Sequence, residues 1–376
     1  MAVSLCLSGD VMTGRGVDQI LPQPCDPVLY EEFTSSAEDY VRLAERASGP
    51  IPRGVEPSYP WGDALGEIAR LRPDAWIVNL ETALTRSEDA WPGKGIHYRT
   101  SPENGRALAA AGIDCCALAN NHVLDWGYAG LAETLRTLAA LGIRHAGAGA
   151  SRAEAEAPAV IELGAKGRLL VWAFACASSG VPAGWAASET RPGVALLRDL
   201  SASTVEEIAA RTRAARRPED VAVASLHWGD NWGFGVTAEE QGFARALVDR
   251  AGFDVVHGHS SHHVKGIEVH EGRPILYGCG DFLDDYEGIA GYEEFRADLG
   301  LLYFVEVDRR GGLARLRMTP TRVFRFQVRL ATGADADWLA ATSNREGARF
   351  RTSVERTPDG GLALRWDSAR GGTSPP

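Results

Sequence analysis

The chain has 376 residues, 45% of them hydrophobic and 24% charged, with 50 acidic against 39 basic side chains and a formal charge of −11. That length accommodates one large α/β domain or two ordinary ones, and the balance of residues is that of a globular enzyme. The negative charge argues against nucleic acid and anionic membranes as partners, because both call for a basic face.

Short apolar runs alternate with helical patterns along most of the chain. In order, Ser4–Leu7, Ala75–Val78, Cys115–Leu118, Leu169–Phe174, Val221–Leu226, Val255–Val256 and Ile275–Tyr277 read as strands. The amphipathic stretches Pro102–Ala111, Ala129–Leu141, Thr204–Arg216 and Ala238–Ala251 read as the helices between them. Such alternation predicts sheets covered by helices, with ligands beyond the carboxyl ends of the strands. Two regions depart from it. Residues 21–60 hold seven of the 19 prolines and two short helical patterns, as an insertion lying over a site or an edge would. After Leu301–Val307, a strand over Arg322–Leu330, a helix near Ala334–Glu346 and a turn at Pro358-Asp359-Gly360-Gly361 read as an α+β appendage. The domain reading is therefore a catalytic unit over 1–310, with 21–60 as a lid candidate, an appendage over 311–367 and a disordered tail over 368–376.

The six cysteines are scattered with no C-x-x-C pair, which predicts reduced, buried thiols. Val3 to Leu7 runs directly into Ser8-Gly9-Asp10, without the pattern of a signal peptide. The longest apolar run, Leu169 to Ala177, is too short to span a membrane, so the expectation is a cytoplasmic protein.

The polar clusters carry the chemistry, and each follows a predicted strand. Asp10 follows the first, Glu81 the second, and Asn120-Asn121-His122 with Asp125 the third. His227-Trp228-Gly229-Asp230, the segment His257-Gly258-His259-Ser260-Ser261-His262-His263 and Asp281 follow the later ones. That segment alone holds four of the nine histidines. Taken singly, Asp10 reads equally well as a helix cap, the asparagines as turn formers and His227 as a core histidine. Together they place carboxylate, amide and imidazole groups at one edge of a sheet, the pattern of a metal site.

These motifs resemble those of CapA-type proteins, a family named for poly-γ-glutamate capsule synthesis within the calcineurin-like metallophosphatase superfamily. The resemblance rests on Gly9-Asp10-Val11-Met12, Asn79-Leu80-Glu81, Ala119-Asn120-Asn121-His122 with Asp125 and Gly127, His227-Trp228-Gly229, and Gly258-His259 with His262. It spans residues 4 to about 290 in the right order and leaves the C-terminal part uncovered. It implies a four-layer α/β/β/α sandwich. It also implies that Asp10, Glu81, Asn121, His227 and His259 hold a metal or its waters, with His122 and His262 as reactive imidazoles. The chain departs from the superfamily in reading Asp10-Val11-Met12 in place of Asp-x-His, and in placing Glu81 at a bridging aspartate. It also reads Gly258-His259-Ser260-Ser261-His262 in place of Gly-His-His-Pro-His. The loss of ligands argues for a single hard divalent cation (Ca²⁺, Mg²⁺ or Mn²⁺) before Zn²⁺ or a two-metal centre.

Asp125 lies three residues after His122, and Asp281 is placed to orient His262, giving two His–Asp pairs. Two pairs on either side of an α-carbon permit removal and return of a proton, which is epimerisation. CapA-like proteins include peptide epimerases of ribosomal (lasso) precursor peptides, so a peptide substrate is the leading expectation. Phosphoester hydrolysis or poly-γ-glutamate synthesis and handling is the enzyme alternative, and a binding protein with a structural metal is the third. The loop from Trp228 to Gly235 is a candidate receptor for a bulky peptide end, and Arg15, Lys94 and Arg99 for a terminal carboxylate.

Overall fold

The computed structural model describes residues 2–367, and the expected tail at 368–376 lies outside the described residues. Two sheets carry the structure. The larger has ten strands; its spine runs Thr352–Arg356, Leu362–Trp366, Leu313–Phe324, Leu299–Val307, Val3–Val11, Ala75–Leu80, Cys115–Ala117, Arg144–Ala146. Asp281–Leu283 joins it on Val3–Val11, and Gln327–Leu330 on Leu313–Phe324. The smaller runs Ile267–His270, Arg273–Leu276, Val255–His259, Val221–His227, Arg168–Ala175, Ala159–Glu162.

The alternation of side chains shows how the sheets pack. Leu169, Val171, Ala173 and Ala175 share one hydrophobic cluster with Leu5, Leu7 and Ile77 of the larger sheet. Their neighbours Leu170, Trp172 and Phe174 point the other way, into a second cluster with Val205, Ile208, Phe243 and Leu247. Those four belong to the helices Ala202–Ala215 and Ala238–Asp249. The second of these begins on a capping box in which Thr237 and Glu240 satisfy each other's backbone N–H groups, a signal readable in the sequence. Helices Ala64–Leu71, Arg106–Ala111 and Gly127–Ala140 cover the larger sheet through Ala64, Leu108, Leu131 and Leu138. Two sheets between two helical layers make the expected α/β/β/α sandwich.

The C-terminal α+β part is hydrogen-bonded into the larger sheet, because Leu313–Phe324 pairs antiparallel along the whole of Leu299–Val307. The predicted strand over Arg322–Leu330 is instead a hairpin that reverses at Arg325 and Phe326, both at φ +55°. Neither is a glycine or asparagine, so the turn leaves no trace in the sequence. It is held by Glu287, whose carboxylate accepts the N–H of Arg325 at 2.8 Å and of Phe326 at 2.7 Å. All six cysteines are free and buried, as expected. Among the described residues, no helix is long and apolar enough to cross a membrane.

Strand register assembles the site. Asp10 lies opposite Asn79 on one neighbour and Asp281 on the other, while His227 lies opposite His259 in the smaller sheet. The strand Val255–His259 is longer than the sequence pattern suggests, so His257 and His259 belong to it and His262 lies beyond its end. Gly9 permits this junction: a Cβ there would fall 1.7 Å from the carbonyl oxygen of Gly280. Asp10 N donates to that same oxygen at 3.0 Å. Because the clash is with backbone, Gly9→Ala is expected to cost about 3 kcal/mol, the upper end of ordinary overpacking, with a lower urea midpoint and unchanged m-value.

Candidate metal centre

Asp10, His227 and His259 each offer one donor atom, and the three atoms lie within 4.8 Å of one another in a buried cluster. The hydrogen-bond chain behind the histidines shows which nitrogens face inward. The carbonyl oxygen of Ser8 accepts from His257 Nε2 at 2.9 Å, so the proton of His257 sits there. Burial pushes the His257 pKa down to about 4, so the ring is neutral and Nδ1 accepts from the Ser225 hydroxyl at 3.2 Å. Ser225 Oγ in turn accepts from His259 Nε2 at 2.8 Å, leaving His259 Nδ1 as a lone pair. On the other ring, His227 Nε2 donates to Asn121 Oδ1 at 2.9 Å, leaving His227 Nδ1 as a lone pair too.

Those two nitrogens face each other at 2.9 Å. The alternative, with Ser225 turned towards His259, strands the buried Nδ1 of His257 without a donor. Two opposed lone pairs beside a carboxylate fit a cation. Electrostatics agrees. Burial, and then the charge of Asp281, raises the Asp10 pKa. Burial, and then Asp10, raises that of Glu81. Burial likewise drives His227 and His259 well below the usual imidazole range. The pocket therefore disfavours bare carboxylates and holds its imidazoles neutral, as metal ligands must be.

Glu81 and Asn121 stand one step outside the three-donor group. Glu81 Oε2 shares the amide of Asn79 with Asp10, at 3.1 and 2.7 Å. Asn121 supports His227, as described. Asn120 braces the network from behind: its amide donates to Asn79 Oδ1 and Leu80 O, while its own Oδ1 takes the N–H groups of His122 and Val123.

The two His–Asp pairs sit on either side. His122 Nδ1 meets Asp125 Oδ2 at 2.7 Å, and its Nε2 lies 3.8 Å from Glu81 Oε1. Burial, and then Lys94, lowers the His122 pKa well below the usual value, so this imidazole is neutral. On the far side both carboxylate oxygens of Asp281 lie 3.0 Å from His262 Nδ1. Burial opposes charge on His262, but Asp281 outweighs it and raises the pKa.

None of the three cations suggested as carboxylate receptors is free for that role. Arg15 is buried between Glu31 at 3.0 Å and Asp285 at 2.5 Å. Arg99 donates to the carbonyls of Ser87 and Asp26 and lies over Trp126. Lys94 pairs with Asp125 at 2.5 Å. Ser225 was not expected at the site, and Asn79 and His257 stood in the motifs without an assigned role. The strand periodicity marks them only as interior positions, and their partners come from other strands.

A family model described as bacterial capsule synthesis protein PGA_cap matches residues 4–286. The chain belongs to this CapA-like capsule-synthesis family. A probable polyglutamine synthesis accessory protein of Mycobacterium tuberculosis is 47% identical to it over 359 residues, covering 95% of this chain and 94% of that protein. The PGA biosynthesis protein CapA of Bacillus subtilis is 27% identical over 318 residues, covering 85% and 71%. An uncharacterized protein of Sinorhizobium fredii is 30% identical over 276 residues, covering 56% and 59%. The mycobacterial likeness therefore extends past the family match into the C-terminal strands of this CapA-like chain.

The raised pKa of His262 predicts a sign. The stability that its charged form contributes is complete below the unfolded imidazole pKa, about 6.5, and is lost as pH rises through the folded value. In metal-free protein, Asp281→Asn should lower the His262 titration midpoint in NMR by at least about one pH unit. An unmoved midpoint would contradict the pairing.

Proposed function

We propose that this CapA-like chain is a metal-dependent enzyme acting on a glutamyl or glutaminyl polymer, or on a precursor of one. The names of the mycobacterial and Bacillus relatives support the substrate class. The observation that carries the chemistry is the pair of imidazoles flanking the Asp10, His227 and His259 group, one with its pKa lowered by burial and one with its pKa raised by Asp281 against burial. Environments that push two titratable groups apart in this way assign a base and an acid.

When bound, a divalent cation supplies Lewis-acid polarisation of a substrate oxygen. The chain's own residues do the rest. With the Nδ1 proton of His122 donated to Asp125, the Lys94 ammonium, 3.0 Å from that same Nδ1, balances the carboxylate. His122 is thus left to accept a proton at Nε2, on the side facing Glu81. Asp281 favours the charged form of His262 through Nδ1, leaving Nε2 as the nitrogen that donates. With two imidazoles among the three closest donors, the site suits Mn²⁺ or Zn²⁺ better than Ca²⁺ or Mg²⁺.

Epimerisation at a peptide α-carbon is the second reading, favoured by the same two pairs lying on opposite sides of the group. The two readings separate in D₂O: an epimerase exchanges the α-proton of glutamyl peptides for deuterium without bond cleavage, whereas polymer synthesis or cleavage changes chain length without exchange. Elemental mass spectrometry of protein purified without chelator should find about one metal per chain, lost in His227→Ala. Two per chain would favour phosphoester hydrolysis. His122→Gln and His262→Gln should each retain the metal and lower kcat by about 10²- to 10⁴-fold. Full activity in either variant would refute the acid–base assignment.

A further inference from the structure

Beside His262 the structure contains a chamber of about 430 Å³, the size of a small-molecule site. One wall is aromatic. Trp232 stacks on Tyr292 with ring centroids 4.0 Å apart and reaches His262 at 5.1 Å, and Tyr286 lies on the other side of that imidazole at 5.4 Å. The remaining lining mixes apolar Ile289, Ala297 and Val323 with the acids Asp284, Glu287, Glu293 and Asp298 and the guanidiniums of Arg296 and Arg322.

Both guanidiniums pair with acids, Arg296 with Asp298 and Asp335, each at 2.7 Å, and Arg322 with Asp335 at 3.0 Å, although Arg322 Nε has no hydrogen-bond partner. Glu287 is occupied by the Ser48 hydroxyl and the N–H groups of Arg325 and Phe326. Asp281 balances the charge of His262. Asp284 is different. It is 3% exposed, its Oδ1 accepts from Tyr286 N at 2.9 Å, and its Oδ2 has no hydrogen-bond partner. A buried carboxylate oxygen without a donor is costly unless a ligand supplies one.

We propose that this chamber binds an organic ammonium group of the substrate, with Asp284 Oδ2 as its acceptor and the Trp232, Tyr286 and Tyr292 rings around its apolar body. The assignment rests on the peptide-polymer reading and narrows it: the end presented to His262 carries a free amine, and the polyanionic body of a glutamate polymer lies outside the chamber. Rings and a carboxyl oxygen without a partner form a receptor for such a cation, whose charge offsets the burial and the Asp281 charge that raise the Asp284 pKa. A chain's amino terminus and an amine-bearing side chain offer the same chemistry.

Calorimetry on the full, metal-loaded chain tests the assignment, with triglutamine, N-acetyl-triglutamine and N-acetyl-lysine amide as probes. Acetylation of triglutamine should weaken binding at least about tenfold, the worth of one hydrogen bond to a charged group. Asp284→Asn should remove that difference while leaving the acetylated peptide unaffected. Tight binding of N-acetyl-lysine amide that is lost in Asp284→Asn would support the chamber and assign it to side-chain amines. Equal affinity for triglutamine and its acetyl form would overturn the proposal, and that comparison needs only the unaltered chain. Repeating it in His122→Gln separates the two claims. Amine-dependent binding there survives a failure of the catalytic reading, whereas rapid turnover of acetylated substrate by the unaltered chain would sink the chamber alone.

Discussion

Like-charged and electron-rich groups meet at one edge of this molecule. Asp10 and Glu81 are buried beside Asp281, which pairs with His262, and the nearest ammonium, that of Lys94, is committed to Asp125. Two imidazole lone pairs point at each other across the same space. Burial makes each of these groups costly alone, so the arrangement persists only because strand pairing imposes it and a cation can resolve it. The register of Asp10 with Asn79 and Asp281, and of His227 with His259, is therefore the constraint on which the site depends.

Much of this was legible in the chain itself. Polar residues that interrupt apolar runs at strand ends mark the edge where ligands sit, and Asp10, Glu81, His227 and His259 all carried that mark. The pairing of His122 with Asp125 followed from a spacing of three residues in a tight turn. What stayed hidden was whatever depends on neighbours distant in sequence. Ser225 is an ordinary strand serine until His257 and His259 are placed beside it by the adjacent strand. The reversal at Arg325 lacks turn residues because Glu287, far from it in sequence, supplies the acceptors. Arg15, Lys94 and Arg99 read as candidate carboxylate receptors because single-residue patterns do not reveal buried partners.

The same geometry connects fold to function. The relay from Ser8 through His257 and Ser225 fixes a tautomer of His259 from inside the sandwich, so its inner end is shielded from solvent and from substrate. The segment over 21–60 contributes Glu31 to the buried Arg15, and Ser48 to the chamber beside His262. The hairpin at Arg325 is tied to that chamber through Glu287. Insertion, hairpin and site are thus parts of one hydrogen-bonded surround, which ties substrate access to regions lying far from the ligand strands in sequence.

The most direct test of this account is anomalous diffraction from crystals grown with Mn²⁺. The account predicts one strong peak at coordination distance, about 2.0 to 2.3 Å, from Asp10, His227 Nδ1 and His259 Nδ1, with His257 and Ser225 still hydrogen-bonded behind. No peak there, or a peak held by His122 and His262 instead, would contradict it.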